Sequence, residues 1–198
     1  MAIETRHTIA TRLVHAGLAL AVVTQLFSSL VMQPEEDGHT GNLAFEIHEY
    51  GGLAAFAFIV IFWFVLTARR RGTPVGMLFP WFSGTRLLAL RDDTKRHLAA
   101  LRRFRLPSHN GASPFASAVH GLGILLITAM AASGALYYVI GEGNPDAGGL
   151  VGVAMSIHKT LANLAWAYLI GHASLALIQH HFTEFNLREM WSFRSASK

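Results

Sequence analysis

VGVAMSIHKTLANLAWAYLIGHASLALIQ, residues 151–179, is the stretch on which the fold turns. Its single charge is Lys159. A helix of about 20 apolar residues crosses a hydrocarbon layer ~30 Å thick, so the stretch predicts a membrane span. Two histidines sit inside it, His158 and His172. A helix rises ~1.5 Å and turns ~100° per residue, so fourteen steps carry ~21 Å and end ~40° short of four turns. The two imidazoles therefore share one helix face, near opposite sides of the layer.

Three more segments have the same character, and spans are expected over about 9–32, 45–68 and 114–140. Pro80, Pro107, Pro114 and Pro145 fall at or outside the span ends, as helical spans require. The expected architecture is an all-α membrane protein, one domain over 1–198, built as a four-transmembrane-helix bundle. Composition agrees: 52% of residues are hydrophobic and 14% charged, too apolar for an ordinary soluble domain. Cysteine is absent, which excludes disulfides, thiolate-held iron–sulfur clusters and the C-x-x-C-H attachment of a c-type haem. The polar start MAIETRHTIATR precedes an apolar run with no small-residue cleavage site, so that run is expected to be a retained span.

Charge orients the spans. Glu35, Glu36, Asp37, Glu46 and Glu49 lie between the first two spans or at the mouth of the second, and Glu142 and Asp146 between the last two. Neither connection contains Lys or Arg. The long connection, 69–113, holds ten of the sixteen basic residues, including Arg69-Arg70-Arg71. Arg6 and Arg12 precede the first span, and Arg188, Arg194 and Lys198 follow the last. The positive-inside rule places both termini and the long connection in the cytoplasm. Within that connection TRLLALRDDTKRHLAALRRF reads as a basic amphipathic helix, with Leu87, Leu90, Leu98 and Leu101 on one face and Arg91, Lys95 and Arg102 flanking it. It suits anionic lipid headgroups or a docking partner. No nucleic-acid motif accompanies it, and nucleic acid is not an expected partner.

This topology gives each histidine a depth. His15 opens the first span near the cytoplasm, and His48 opens the second on the periplasmic side. His158 then lies at the periplasmic level and His172 at the cytoplasmic level. Two pairs match, His48 with His158 and His15 with His172. A polar ring within a bilayer is costly unless satisfied, and such residues usually face the bundle and serve function. Each pair is suited to supply two axial nitrogens to one haem iron, with the second ring nitrogen turned to an acceptor. Two haems bound between the helices are therefore expected. Gly17, Gly51, Gly52, Gly171, Gly121, Gly123 and Gly134 leave room for a flat macrocycle or for close helix packing. Lys159, beside His158, is a candidate partner for a haem propionate, and Arg12 for one at the other level. His120 lies at the depth of His15 and His172. It is a candidate to line a quinone pocket, to bond a propionate or to replace His15 as ligand. His109, Asn110 and His120 are the quinone candidates. His7, His39, His97, His180 and His181 are expected to be solvated or interfacial.

Arg12-x-x-His15 opening the first span, His48 opening the second, and His158-x13-His172 in the fourth resemble the bacterial four-helix dihaem cytochrome b family, of cytochrome b561 type. It includes the gamma subunits of membrane formate dehydrogenases and the cytochrome b subunits of nickel–iron hydrogenases. The resemblance runs from about Thr5 to His181. The family often has Trp after the first-span His, where this chain has Ala16. The resemblance implies two haem b groups, with His15 and His172 on the cytoplasmic iron and His48 and His158 on the periplasmic one. It implies a bacterial inner-membrane protein passing electrons between a periplasmic or membrane-bound redox partner and the quinone pool. Quinone is the implied substrate, commonly met near the cytoplasmic haem. The protein would supply ligation and spacing while the cofactors supply the redox chemistry. Nothing resembles a molybdenum, nickel or flavin site, so substrate oxidation is expected on another subunit. Three other readings stay open. One is a free-standing oxidoreductase passing electrons from a diffusible donor such as superoxide to quinone. Another is a His-lined metal-ion transporter, against which the lack of carboxylates inside the spans counts. The third is a structural anchor.

Overall fold

The first long helix, α1 (Ile9–Ser28), starts where the Thr8 hydroxyl accepts from the Thr11 amide at 3.2 Å, satisfying one of the donors that a helix start leaves over. The second, α2 (Leu43–Ala68), is capped in the same way by Asn42, whose side-chain oxygen accepts from the Phe45 amide at 3.0 Å. The computed structural model describes residues 7–34, 40–105, 113–141, 148–183 and 186–191. Within them α3 (Val75–Leu78), a 3₁₀ turn (Pro80–Phe82) and α4 (Gly84–Arg102) form the connection. The last two long helices are α5 (Pro114–Gly141) and α6 (Gly149–Phe182), and a short α7 (Arg188–Trp191) follows. Only helices and turns occur among the described residues. Four helices, α1, α2, α5 and α6, are long and apolar enough to cross a membrane.

The four long helices lie on the stretches expected to span, with α1 ending earlier and α6 running three residues further. The first was expected to reach residue 32, but α1 stops at Ser28. There the Ser28 and Ser29 hydroxyls bond the carbonyls of Gln25 and Leu26, competing with the helix's own donors. Asn42 then pins the departing chain by donating to the Val31 carbonyl and accepting from the Gln33 amide, both at 3.0 Å. The fourth span, α6, has 34 residues, or ~51 Å, well beyond the hydrocarbon layer.

Helix α2 packs on α1 and on α5, and α6 packs on α5. The core draws on the first three: Leu18 from α1, Ile59, Phe62 and Leu66 from α2, Ile127 and Ala131 from α5. In α6 only Val151, Ala154 and Ala165 are buried. Leu20, Phe64 and Ile170 are exposed on the outside, as lipid-facing positions should be. The end of the bundle carrying the long connection is the basic end, and the end where α1 passes to α2 and α5 to α6 is the acidic end.

The connection contains the expected amphipathic helix, α4, and adds contacts to the bundle. Its first part tucks into the bundle: Leu78 joins the core, and Phe79 stacks on Trp63 of α2 with centroids 5.4 Å apart. Gly121 makes this possible, because any Cβ there would collide with the Leu78 carbonyl. Gly17 likewise admits the Phe58 ring, and Gly123 the Tyr168 ring. These three glycines serve helix packing. In α4 the Leu87, Leu98 and Leu101 stripe is exposed, while Asp93, which the apolar pattern did not single out, is buried. Its carboxylate accepts from the Ser113 hydroxyl at 2.6 Å and the Phe115 amide at 3.0 Å, at the start of α5. His97, expected to be solvated or interfacial, donates Nδ1–H to the Asp93 carbonyl at 2.9 Å and packs on Phe115 with centroids 5.0 Å apart. Burial by itself would raise the Asp93 pKa. The Ser113 and Phe115 hydrogen bonds, with His97 and Arg96 beside them, outweigh it and hold the carboxyl below its ordinary range.

Candidate functional site: two imidazole pairs at two levels

At the acidic end, α2 presents His48 and α6 presents His158, with ring centroids 6.2 Å apart and planes at 84°. Each ring is held by the helix that precedes its own. His48 Nδ1 lies 3.1 Å from the Gln25 carbonyl and 3.1 Å from Ser28 Oγ, both on α1. His158 Nδ1 lies 2.9 Å from the Met130 carbonyl and 3.0 Å from Ser133 Oγ, both on α5. In both cases the serine hydroxyl also donates to that same carbonyl, three residues back. A carbonyl can only accept, so Nδ1 carries the proton and donates it, and Nε2 keeps its lone pair. At Gly134 a Cβ would stand 3.3 Å from His158 Cε1, so the glycine makes room for the ring. The Gln25 side chain lies against Gly51 and Gly52, and its Nε2 is buried with no hydrogen-bond partner among the described residues.

At the basic end, α1 presents His15 and α6 presents His172, with centroids 6.4 Å apart and planes at 54°. The surroundings differ. His15 Nδ1 is buried and has no hydrogen-bond partner among the described residues. Trp191 of α7 meets the His15 ring edge-on at 5.7 Å. Tyr168, one turn before His172, stacks on it at 5.5 Å with planes 11° apart, its own ring seated against Gly123 of α5. His120 of α5 meets His172 edge-on at 5.2 Å. Arg12, one turn before His15, is buried, and its Nε and one terminal nitrogen donate to the His7 carbonyl at 3.2 and 2.9 Å. Lys159 is exposed beside His158. His109, Asn110 and His39 lie outside the described residues.

The ring spacings test whether a haem fits. A metal–imidazole bond is about 2 Å long, and the ring centre lies about 1 Å behind the nitrogen, so two rings facing across one metal atom have centres about 6 Å apart. The pairs at 6.2 and 6.4 Å meet that distance, while His120 at 5.2 Å from His172 falls short. The buried Nε2 of Gln25 is a polar atom at the acidic-end level that still lacks a partner among the described residues. The α6 backbone packs on α5 and meets α1 and α2 through side chains: His15–His172, Phe27–Trp166 and His48–His158. That separation leaves room for a flat group between the facing rings. Among the described residues no three His, Asp or Glu side chains gather where a bare metal ion would need them. The residues at both levels are therefore of a kind and spacing that fit a haem held between facing imidazoles.

The sequence brought forward His15, His48, His158, His172 and His120, and the structure brings all five into ring contact at two levels. It did not bring forward Gln25, Ser28, Met130, Ser133, Tyr168 or Trp191. A backbone carbonyl carries no residue signature, so Gln25 and Met130 left no trace. Tyr168 did leave one, since its four-residue spacing from His172 puts both on one helix face.

The family model described as prokaryotic cytochrome b561 matches residues 6–193. No curated protein and no solved structure matches the chain.

Proposed function

The chain belongs to the prokaryotic cytochrome b561 family, a membrane b-type cytochrome of electron transfer, and from that premise we propose that it holds two haem b groups, one at each end of the bundle. The observation that carries this reading is the pairing of four imidazoles, two by two, at the ring separation of a shared metal atom. His48 and His158 ligate at the acidic end, His15 and His172 at the basic end. Bound haem supplies reversible one-electron chemistry. The chain's own residues do the rest. At the acidic end, the Gln25 and Met130 carbonyls and the Ser28 and Ser133 hydroxyls fix the tautomer and angle of both rings. At the basic end, Tyr168 and Trp191 hold theirs by ring contact. Lys159, exposed beside His158, is the candidate to pair with a propionate, while the Arg12 guanidinium is already bonded to the His7 carbonyl. The fourteen-residue spacing on α6 would separate the two ligand levels by ~21 Å along the helix axis.

The positive-inside rule puts the basic end and both termini in the cytoplasm of a bacterial inner-membrane protein. Electrons then pass between a redox partner, periplasmic or membrane-bound, and quinone. The quinone reacts at the basic end, where His120 stands against His172, with His109 and Asn110 as further candidates. The decisive experiment is a dithionite-reduced minus oxidised spectrum of the detergent-purified chain with its haem-to-protein ratio. Two b-type haems per chain are expected. A colourless protein, or a single haem at full loading, would overturn the reading.

A further inference from the structure

Resting on the two-haem reading above, we propose that Ser28 and Ser133, with the Gln25 and Met130 carbonyls, make the acidic-end haem the lower in potential. A single electron shared between the two levels then settles at the basic end. The argument starts from a ligand's outer nitrogen. An imidazole that donates its Nδ1–H strongly gains electron density at Nε2, and a richer ligand favours the oxidised metal. At the acidic end this happens at both rings. His48 Nδ1 stands 3.1 Å from each of two oxygens, and His158 Nδ1 2.9 and 3.0 Å from two more. The two clusters have the same design: a serine, the carbonyl three residues before it on the same helix, and a histidine from the next long helix.

The basic end has no counterpart among the described residues. His15 Nδ1 is buried without a partner, and the ring neighbours of His172 are Tyr168 and His120. Ligands without such bonds gain less electron density at the nitrogen toward the metal, so the oxidised state is less favoured and the potential is higher. Lys159 opposes the trend, since a cation beside His158 disfavours that same charge at the acidic end. It is exposed, however, and solvent and salt screen it, whereas the four oxygens touch the rings directly. With haem held by both pairs, the transfer would be one electron given up at the acidic end and taken up at the basic end.

The test uses the full chain, loaded with haem, in detergent. His172→Ala is expected to keep the acidic-end haem alone and His158→Ala the basic-end haem alone, as haem-to-protein ratios report. Spectroscopic redox titration of the two is expected to give the lower potential for His172→Ala. In otherwise unchanged protein, Ser28→Ala and Ser133→Ala each remove one of a ring's two acceptors. Together they are expected to shift the partition of a shared electron toward the acidic end, on the order of tenfold. Ser133→Thr, which keeps the hydroxyl, should restore it. Equal or reversed potentials in single-haem proteins, or serine variants that leave the partition unmoved, would overturn the inference while the two-haem reading stands. Single-histidine variants that lose both haems, or neither, would instead overturn the ligand assignment beneath it.

Discussion

The two ends of α6 carry the same residue in contrasting company. His158 is bonded through Nδ1 to a carbonyl and a hydroxyl, and so is its counterpart His48. His172 lies among rings, and its counterpart His15 keeps a buried nitrogen with no partner among the described residues. One helix, one spacing and one residue type thus yield two environments. The spacing sets where the imidazoles stand, and the neighbouring helices set what each can do.

The largest effects come from the ligands. His15→Ala should remove the basic-end haem and spare the other, while His120→Ala should keep both, because the His120 ring is too close to His172 to share a metal with it. Haem-to-protein ratios check this, and loss of haem in His120→Ala with retention in His15→Ala would exchange their roles. Smaller effects should come from the glycines. Gly134→Val puts a branched side chain where a Cβ alone stands 3.3 Å from His158, so the acidic-end haem should load poorly while the basic-end haem loads fully. Gly171→Ala meets nothing within 4 Å although it adjoins His172. It should leave both haems in place and stiffen α6 by ~0.5–1 kcal/mol, the usual helix preference for Ala over Gly. Absorption spectra and thermal unfolding of the two variants side by side would show the asymmetry, and equal haem loss in both would dissolve it.

The joint between α4 and α5 bears on the basic end alone. Asp93→Ala leaves the Ser113 hydroxyl and the Phe115 amide without their acceptor, at a cost of ~1–3 kcal/mol. Thermal unfolding in detergent should show the loss, and the acidic-end spectrum should not change. The pH dependence has a definite sign. The folded carboxyl titrates below its ordinary value of 3.8, so its contribution is complete above that value and fades as pH falls through the lower folded value. The difference between native and Asp93→Ala protein should hold from neutral pH to about pH 4 and narrow below it. A gap that widens on acidification would contradict the Asp93 geometry.

The parts of this molecule that were legible in its chain share a cause. The apolar runs 45–68 and 114–140 became α2 and α5 within two residues at either end, because backbone groups in lipid have no partner but their own helix. The level of each histidine followed from span order and loop charge. The end of α1 was misjudged because residues 29–32 are as apolar as those before them, and the serine hydroxyls that compete for its carbonyls carry little weight in a hydropathy sum. In the connection the amphipathic helix was legible, but the seats of Leu78, Phe79 and Asp93 were not, because Gly121, Trp63 and the start of α5 that receive them are distant in sequence.

Hydropathy, helical periodicity and charge order along the chain were enough for four spans, two imidazole levels and a basic end, since each is a property of one segment in one solvent. Which rings meet, which nitrogen of each is occupied and which carbonyl occupies it depended on helices distant in sequence coming within hydrogen-bonding range. A backbone carbonyl is the same group at every position, so no pattern of side chains could mark Gln25 or Met130 before α1 met α2 and α5 met α6.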